Sequence, residues 1–175
     1  AGGRREFLLF IDNNFYGNDR NFFLARLELL QELHRSGWVR GWSALVTNDF
    51  FLQDDNLRRA RESGCVALFS GVESFDVDWL RKMNKLQNTR LPQVDLIRKC
   101  LQAEVVFLYG RMLDVTSRSV AELRRELEFV TGTDEITLPA YLTLPIPFPG
   151  TPFFDECLAG GLFLPRTKIR DLDGT

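Results

Sequence analysis

Hydrophobic and polar positions along the chain fall into two alternating textures. Phe7-Leu8-Leu9-Phe10-Ile11 is a continuous apolar run that stops at Asp12-Asn13-Asn14. Such a run predicts a strand buried on both faces of a parallel sheet. From about Asp19 to Ser36 the texture changes. Leu24, Leu27, Leu30 and Leu33 form a stripe at spacing three, and Gly37 is placed to close a helix in the left-handed conformation. Strand-like text returns at residues 42–46 and ends in Thr47-Asn48-Asp49. A short helix is predicted from about Asp55 to Ser63, before Gly64. Residues 66–69 predict the third strand, followed by Ser70-Gly71-Val72-Glu73-Ser74. Ser74 or Asp76 can cap a short helix near residues 77–83. Pro92 suits the first turn of a helix reaching about Leu101. Residues 105–109 predict the fourth strand. Ser119-Val120-Ala121-Glu122 reads as a capping box, with Leu123, Leu127 and Val130 on one face of its helix and Gly132 at its end. Residues 136–144, interrupted by Pro139, predict the fifth strand. Thr151-Pro152 opens a last helix that Gly160 and Gly161 close, with Asp155 and Glu156 in its first turn, where carboxylates suit the dipole.

Five βα units result. Their strands begin near residues 7, 42, 66, 105 and 136, and spacings of 24 to 39 residues imply helical crossovers and a parallel sheet. Five strands make an arc, too few for a closed eight-stranded barrel. Residues 1–166 read as one unit without internal repeats, and residues 167–175 as a polar, frayed tail. Both ends look cut.

Composition adds exclusions. With 22 Lys+Arg against 24 Asp+Glu, the net charge of −2 supplies no field for nucleic acid or an anionic membrane. The longest apolar runs are about five residues, against about 20 for a membrane helix. A cytoplasmic protein acting on a small molecule is expected. The three cysteines, Cys65, Cys100 and Cys157, form no C-x-x-C pair and sit beside apolar residues, so buried reduced thiols are expected. His34, the one histidine, falls in a helical stretch and is expected at the surface. A Ser-His-Asp triad and a multi-histidine zinc site are thereby disfavoured.

In parallel α/β folds the site lies beyond the carboxyl ends of the strands. The sequence places Asp12, Asn13 and Asn14 after the first strand, Thr47, Asn48 and Asp49 after the second, and Ser70, Gly71, Glu73 and Ser74 after the third. Tyr109, Gly110, Arg111 and Asp114 follow the fourth, and Pro145, Pro147 and the Phe148-Pro149-Gly150-Thr151 turn the fifth. Asp12, Asn13 and Asn14 can hydrogen-bond an ammonium or a carboxylate; an Asx turn would produce the same text. Gly71 lets a ligand approach the backbone and Glu73 can accept two sugar hydroxyls, while Ser74 can serve as a helix cap in either case.

The order of these pieces resembles the radical S-adenosylmethionine enzymes, most closely their cobalamin-associated branch. The matching pieces are Phe10-Ile11-Asp12-Asn13-Asn14-Phe15, Ser63-Gly64-Cys65 leading into Gly71-Val72-Glu73-Ser74, Met83-Asn84-Lys85, Pro147-Phe148-Pro149-Gly150-Thr151-Pro152, and Gly160-Gly161. The resemblance implies a partial parallel (β/α) barrel, with the five units here as its second to sixth. It also implies that Asp12, Asn13 and Asn14 hold the methionine amino group of S-adenosylmethionine, that Glu73 with Ser70 contacts the ribose, and that residues 109–114, Asp114 included, pass the adenine. The family's chemistry is reductive cleavage of S-adenosylmethionine at a [4Fe–4S] cluster, giving a radical that abstracts hydrogen from a substrate. Two features depart from the pattern. The C-x-x-x-C-x-x-C cluster motif is absent, and Met112 and Leu113 stand where the family has a glycine. The expectation is a fragment whose cluster motif lies upstream of Ala1, or a barrel without a cluster; any cobalamin would be held by a separate, earlier domain. The chain alone is expected to be inactive, because a cluster needs thiolates.

Two rival readings stand beside this one: a non-catalytic nucleoside-binding or interaction module of the same fold, and a metal hydrolase using Asp12, Asp49, Glu73 and Asp114 on one rim. A barrel lacking its first strand leaves the Phe7 strand as an edge, which a preceding region or a partner chain is expected to cover.

Overall fold

The computed structural model describes residues 6–172, so the Ala1-Gly2-Gly3 start and the last three residues of the expected tail lie outside the described residues. Strands β1 (Glu6–Phe10), β2 (Val39–Leu45), β3 (Cys65–Glu73), β4 (Val106–Met112) and β5 (Tyr141–Thr143) pair side by side in chain order. Every pairing is parallel, and the sheet curls into a half-barrel. Helices α1 (Arg20–Arg35), α2 (Asn56–Glu62), α3 (Val77–Lys82), α4 (Gln93–Gln102), α5 (Val120–Thr131) and α6 (Pro152–Ala159) follow the strands, with 3₁₀ turns at Asn48–Leu52, Leu86–Thr89 and Ile169–Leu172. The α/β class and chain-order parallel topology are those expected.

Local chemistry sets the helix starts. Asp19 accepts from the Asn21 and Phe22 N–H groups at 2.9 and 3.1 Å. Both halves of the Ser119–Glu122 capping box are formed, and Thr151 caps α6 with Pro152 in its first position. Asp76, not Ser74, caps α3; the Ser74 hydroxyl donates to Glu126 and accepts from the Asp76 N–H at 3.0 Å. Pro92 stands at the N-cap of α4, one place before its first residue.

The register divides the sheet into two faces. Leu8 aligns with Trp42, Phe10 with Ala44 and Leu68, and Leu68 with Phe107. These side chains meet Phe15, Phe23, Leu27, Leu30, Leu96 and Ile97 in the main core. The indole of Trp42 is fully buried and donates to the Ser63 carbonyl at 3.0 Å. On the opposite, concave face Leu9, Ser43, Ala67 and Val106 form one row and Leu45, Phe69 and Leu108 the next. That face is open: Phe7, Leu9 and Ile11 are 51%, 64% and 81% exposed. The expectation of a first strand buried on both faces is therefore corrected. Among the described residues helices cover one face only, and no second layer lies inside the half-barrel.

Other boundaries move for physical reasons. β3 and β4 run on past the predicted ends, so the Ser70–Glu73 stretch and Gly110, Arg111 and Met112 are strand rather than loop. The fifth strand shrinks to three residues beyond Pro139, which has no N–H to donate to a ladder. On α5 the buried side is Glu126 and Val130, while Leu127 faces solvent. All three cysteines are buried and free. Burial pushes the Cys100 thiol up to about 12 and raises Cys65 as well. His34 is half-buried rather than on the surface, with Nδ1 3.1 Å from the Val39 carbonyl oxygen. Gly64 packs against its ring, where a Cβ would come within 2.8 Å of His34 Cγ. Among the described residues no helix is long and apolar enough to cross a membrane.

Candidate functional site

At the carboxyl ends of β2 and β3 a cavity of about 170 Å³ is lined by Asn13, Thr47, Asn48, Ser70, Gly71, Glu73 and Asn88, with Leu45 and Phe69 at its floor. It unites three of the six expected contact residues, Asn13, Ser70 and Glu73. Gly71 keeps the wall low: a Cβ there would meet nothing closer than the Glu73 side chain at 3.8 Å.

Glu73 is the unusual member. Its φ of 63° lies in the left-handed region, and the Ser74 N–H donates to the Val72 carbonyl at 2.7 Å across it. This is the rarer, strained form of γ-turn, and such outliers cost roughly 1–3 kcal/mol. Lys85 Nζ donates to Glu73 Oε1 at 3.0 Å. The second oxygen, Oε2, is buried, and no hydrogen-bond partner among the described residues reaches it. A buried, unpaired carboxylate oxygen is costly. A strained residue of the cavity lining that carries an unsatisfied acceptor does not serve stability.

A network of side-chain amides backs this wall. Ser70 Oγ donates to Asn48 Oδ1 at 2.7 Å. Asn48 Nδ2 donates to Asn88 Oδ1 at 3.0 Å and to Gln93 Oε1 at 3.2 Å. Asn88 Nδ2 donates to the Gly71 carbonyl at 2.8 Å, and Gln93 Nε2 to the Asn88 carbonyl. All four side chains are buried. Ser70 thus holds Asn48 in place, with its own hydroxyl already donated. Asn88 and Gln93 escape the sequence reading, since they lie 40 and 45 residues from Asn48, Asn88 in a stretch without strand or helix periodicity and Gln93 at the start of a helix.

The remaining candidates do not enter the cavity lining. Asp12 is exposed, with Oδ2 3.7 Å from Arg26 Nη1. Asn14 Oδ1 accepts from the Tyr16 and Thr47 N–H groups at 3.2 and 3.3 Å, the Asx-turn arrangement that the sequence allowed. Asp114 is buried beneath the loop after β4. It accepts from Trp79 Nε1 at 3.1 Å, from the N–H and hydroxyl of Thr116 at 2.9 and 2.7 Å, and from Ser117. Burial by itself would raise this carboxyl, but the Ser117 and Thr116 hydrogen bonds outweigh it and hold the group far below the ordinary aspartate range.

Asp12, Asp49, Glu73 and Asp114 stand at or just beyond the carboxyl ends of parallel strands, the rim expected for them, but their side chains are engaged separately. Asp49 pairs with Arg90 at 2.9 Å, Glu73 with Lys85, and Asp114 points inward. Among the described residues no group of three or more His, Cys, Asp or Glu side chains could hold a metal ion. Nor do the cysteines suit an iron–sulfur cluster, which needs converging thiolates; Cys65 and Cys100 are protonated thiols locked in the core.

No family model matches the chain. It is 30% identical over 151 residues to bacteriochlorophyllide d C-12(1)-methyltransferase of Chlorobaculum tepidum, a match covering 84% of this chain and 30% of the relative. The chain therefore spans under a third of that relative's length. The solved structure of methylornithine synthase overlaps 79% of this chain and 38% of its own, with a TM-score of 0.44 and 16% identity.

Proposed function

We propose that this chain is the carboxyl-terminal part of a radical S-adenosylmethionine enzyme core, contributing the nucleoside clamp and the face turned toward substrate. The motif order and the chain-order parallel half-barrel support this reading, as does the likeness to a curated methyltransferase. That likeness favours methyl transfer over ring formation or methylthiolation. The cobalamin-associated branch rests on the motifs alone.

The observation that carries the reading is Glu73, a residue of the cavity lining with one oxygen held by Lys85 and the other buried and unpaired. The residues present fit a nucleoside. The Glu73 carboxylate accepts a ribose hydroxyl, Lys85 orients it, and Asn13 offers an amide at the mouth. Asp12, exposed beside it, is free to meet an ammonium group at the cost of a long contact to Arg26. S-adenosylmethionine, when bound, supplies the radical chemistry of the family. The cysteines of this chain do not fit a [4Fe–4S] cluster, so iron ligation and electron entry belong to another segment or chain. That segment, or a partner chain, would cover the β1 edge.

Calorimetry with S-adenosylmethionine and 5′-deoxyadenosine tests the clamp. Without the cluster to chelate the methionine end, binding should be weak, about 0.1–1 mM. Glu73→Ala should abolish detectable binding, because a charge-assisted hydrogen bond contributes about 1.5–3 kcal/mol. Asp155→Ala, in the first turn of α6, should bind like the parent. Parent-like binding by Glu73→Ala would remove the ribose role.

A further inference from the structure

Glu126 is a carboxylate in the middle of α5 that is 5% exposed, and the nucleoside reading gives it no part. Its two oxygens face different tasks. Oε1 accepts from Ser74 Oγ and from the Phe75 N–H, both at 2.7 Å. Oε2 faces Arg111 Nη2 at 3.2 Å and Arg118 Nη1 more closely. The two arginines are themselves buried, and Arg118 Nη2 reaches Asp76 Oδ2 at 3.0 Å. Burial alone would raise the Glu126 carboxyl, but the Ser74, Phe75 and arginine contacts outweigh it, so the group stays ionised.

This cluster is aimed at one place. Ser74 and Phe75 directly follow Glu73, the residue in the strained γ-turn. The Ser74 N–H is already spent closing that turn, so its hydroxyl and the next N–H are the handles left for fixing it. Arg111 is the register partner of Glu73 across β3 and β4, where the ladder slips between Gly71 and Glu73. Asp76, held by Arg118, caps α3, and the turn after α3 carries Lys85, the partner of Glu73 Oε1. One carboxylate thus ties down the turn that aims Glu73, and its arginine ties down the helix leading to Lys85. For stability alone, a buried ion cluster is often no better than apolar packing.

We propose that Glu126 is the positioning residue for Glu73, fixing the left-handed turn that sets the Glu73 carboxylate against the cavity. The proposal rests on the nucleoside reading of that cavity, and its test separates the two. Ser74→Ala removes one bond to Glu126 without uncovering a charge. NMR titration of the full chain with 5′-deoxyadenosine should show binding weakened about tenfold, the scale of one hydrogen bond to a charged group. The Glu73 amide and carboxyl signals of the free protein should shift, and the thermal midpoint should fall by a few degrees, since the buried hydroxyl also accepts from the Asp76 N–H. Ser74→Thr, which keeps the hydroxyl, should restore both binding and the signals. Glu126→Gln should act in the same direction and more strongly; if it does not fold, the Ser74 pair decides. Parent-like binding and unmoved Glu73 signals in Ser74→Ala overturn the proposal. Unweakened binding by Glu73→Ala would instead overturn the nucleoside reading, while the Glu73 signals would still report on Glu126.

Discussion

Glu73 and Asp114 are two acidic side chains at the ends of neighbouring strands, and their surroundings give them opposite characters. Glu73 lines a cavity and keeps one buried oxygen unpaired, whereas every contact of Asp114 is internal. Asp114 therefore belongs to stability. Its carboxyl titrates below the ordinary aspartate value in the folded chain, so the stabilisation is complete above about pH 4 and is lost as pH falls below that. Urea midpoints measured from pH 7 down to pH 3 should show this loss in the parent. Asp114→Ala should be less stable at pH 7 by about 2–4 kcal/mol, from the unpaired Trp79 N–H and loop donors, and its midpoint should fall less between pH 5 and pH 3. The sequence shows both acids as polar residues after strands. Thr116 and Ser117, two and three places after Asp114, are the local sign that its carboxylate is used internally; the tryptophan 35 residues from Asp114 and the lysine 12 residues from Glu73 are not visible locally.

At the scale of elements, periodicity and caps were legible and strand ends were not. Asp19, the Ser119–Glu122 box and the Thr151-Pro152 start act within three residues of themselves, so the text carries them. The ends of β3 and β4 were read as loops because Ser70, Glu73 and Arg111 look polar, although they are ladder residues with partners from other elements. Likewise Leu127 was placed in the core at the expense of Glu126, since a leucine stripe is visible locally and a buried ion cluster is not. The α2–β3 junction shows how tightly such elements meet. Gly64 has a φ of +91° and lies against the His34 ring. Gly64→Ala should destabilise the protein by about 1–3 kcal/mol through strained backbone and steric crowding. Thermal melts of Gly64→Ala with and without His34→Ala should show the second change recovering only the steric share. Full recovery would mean that the backbone conformation costs nothing there.

For the molecule as a whole, strand spacing was enough to give the chain-order parallel arc, because each crossover needs its own helix and each helix left its own periodic stretch. The open concave face was not legible, since an apolar strand reads the same whether or not a second layer covers it. That face and the β1 edge meet at Leu9, which pairs with Ser43 on one side and is 64% exposed. An exposed, apolar edge strand is a template for another chain. We therefore expect the isolated chain to self-associate through β1 unless a preceding region or partner covers it. Leu9→Lys places a charge where little packing is lost, and lysine on an edge strand opposes pairing. Sedimentation of the two proteins should show the parent shifting to larger species with concentration and Leu9→Lys staying monomeric, with closely similar thermal midpoints. A parent that remains monomeric across the same range would show that this edge needs no cover.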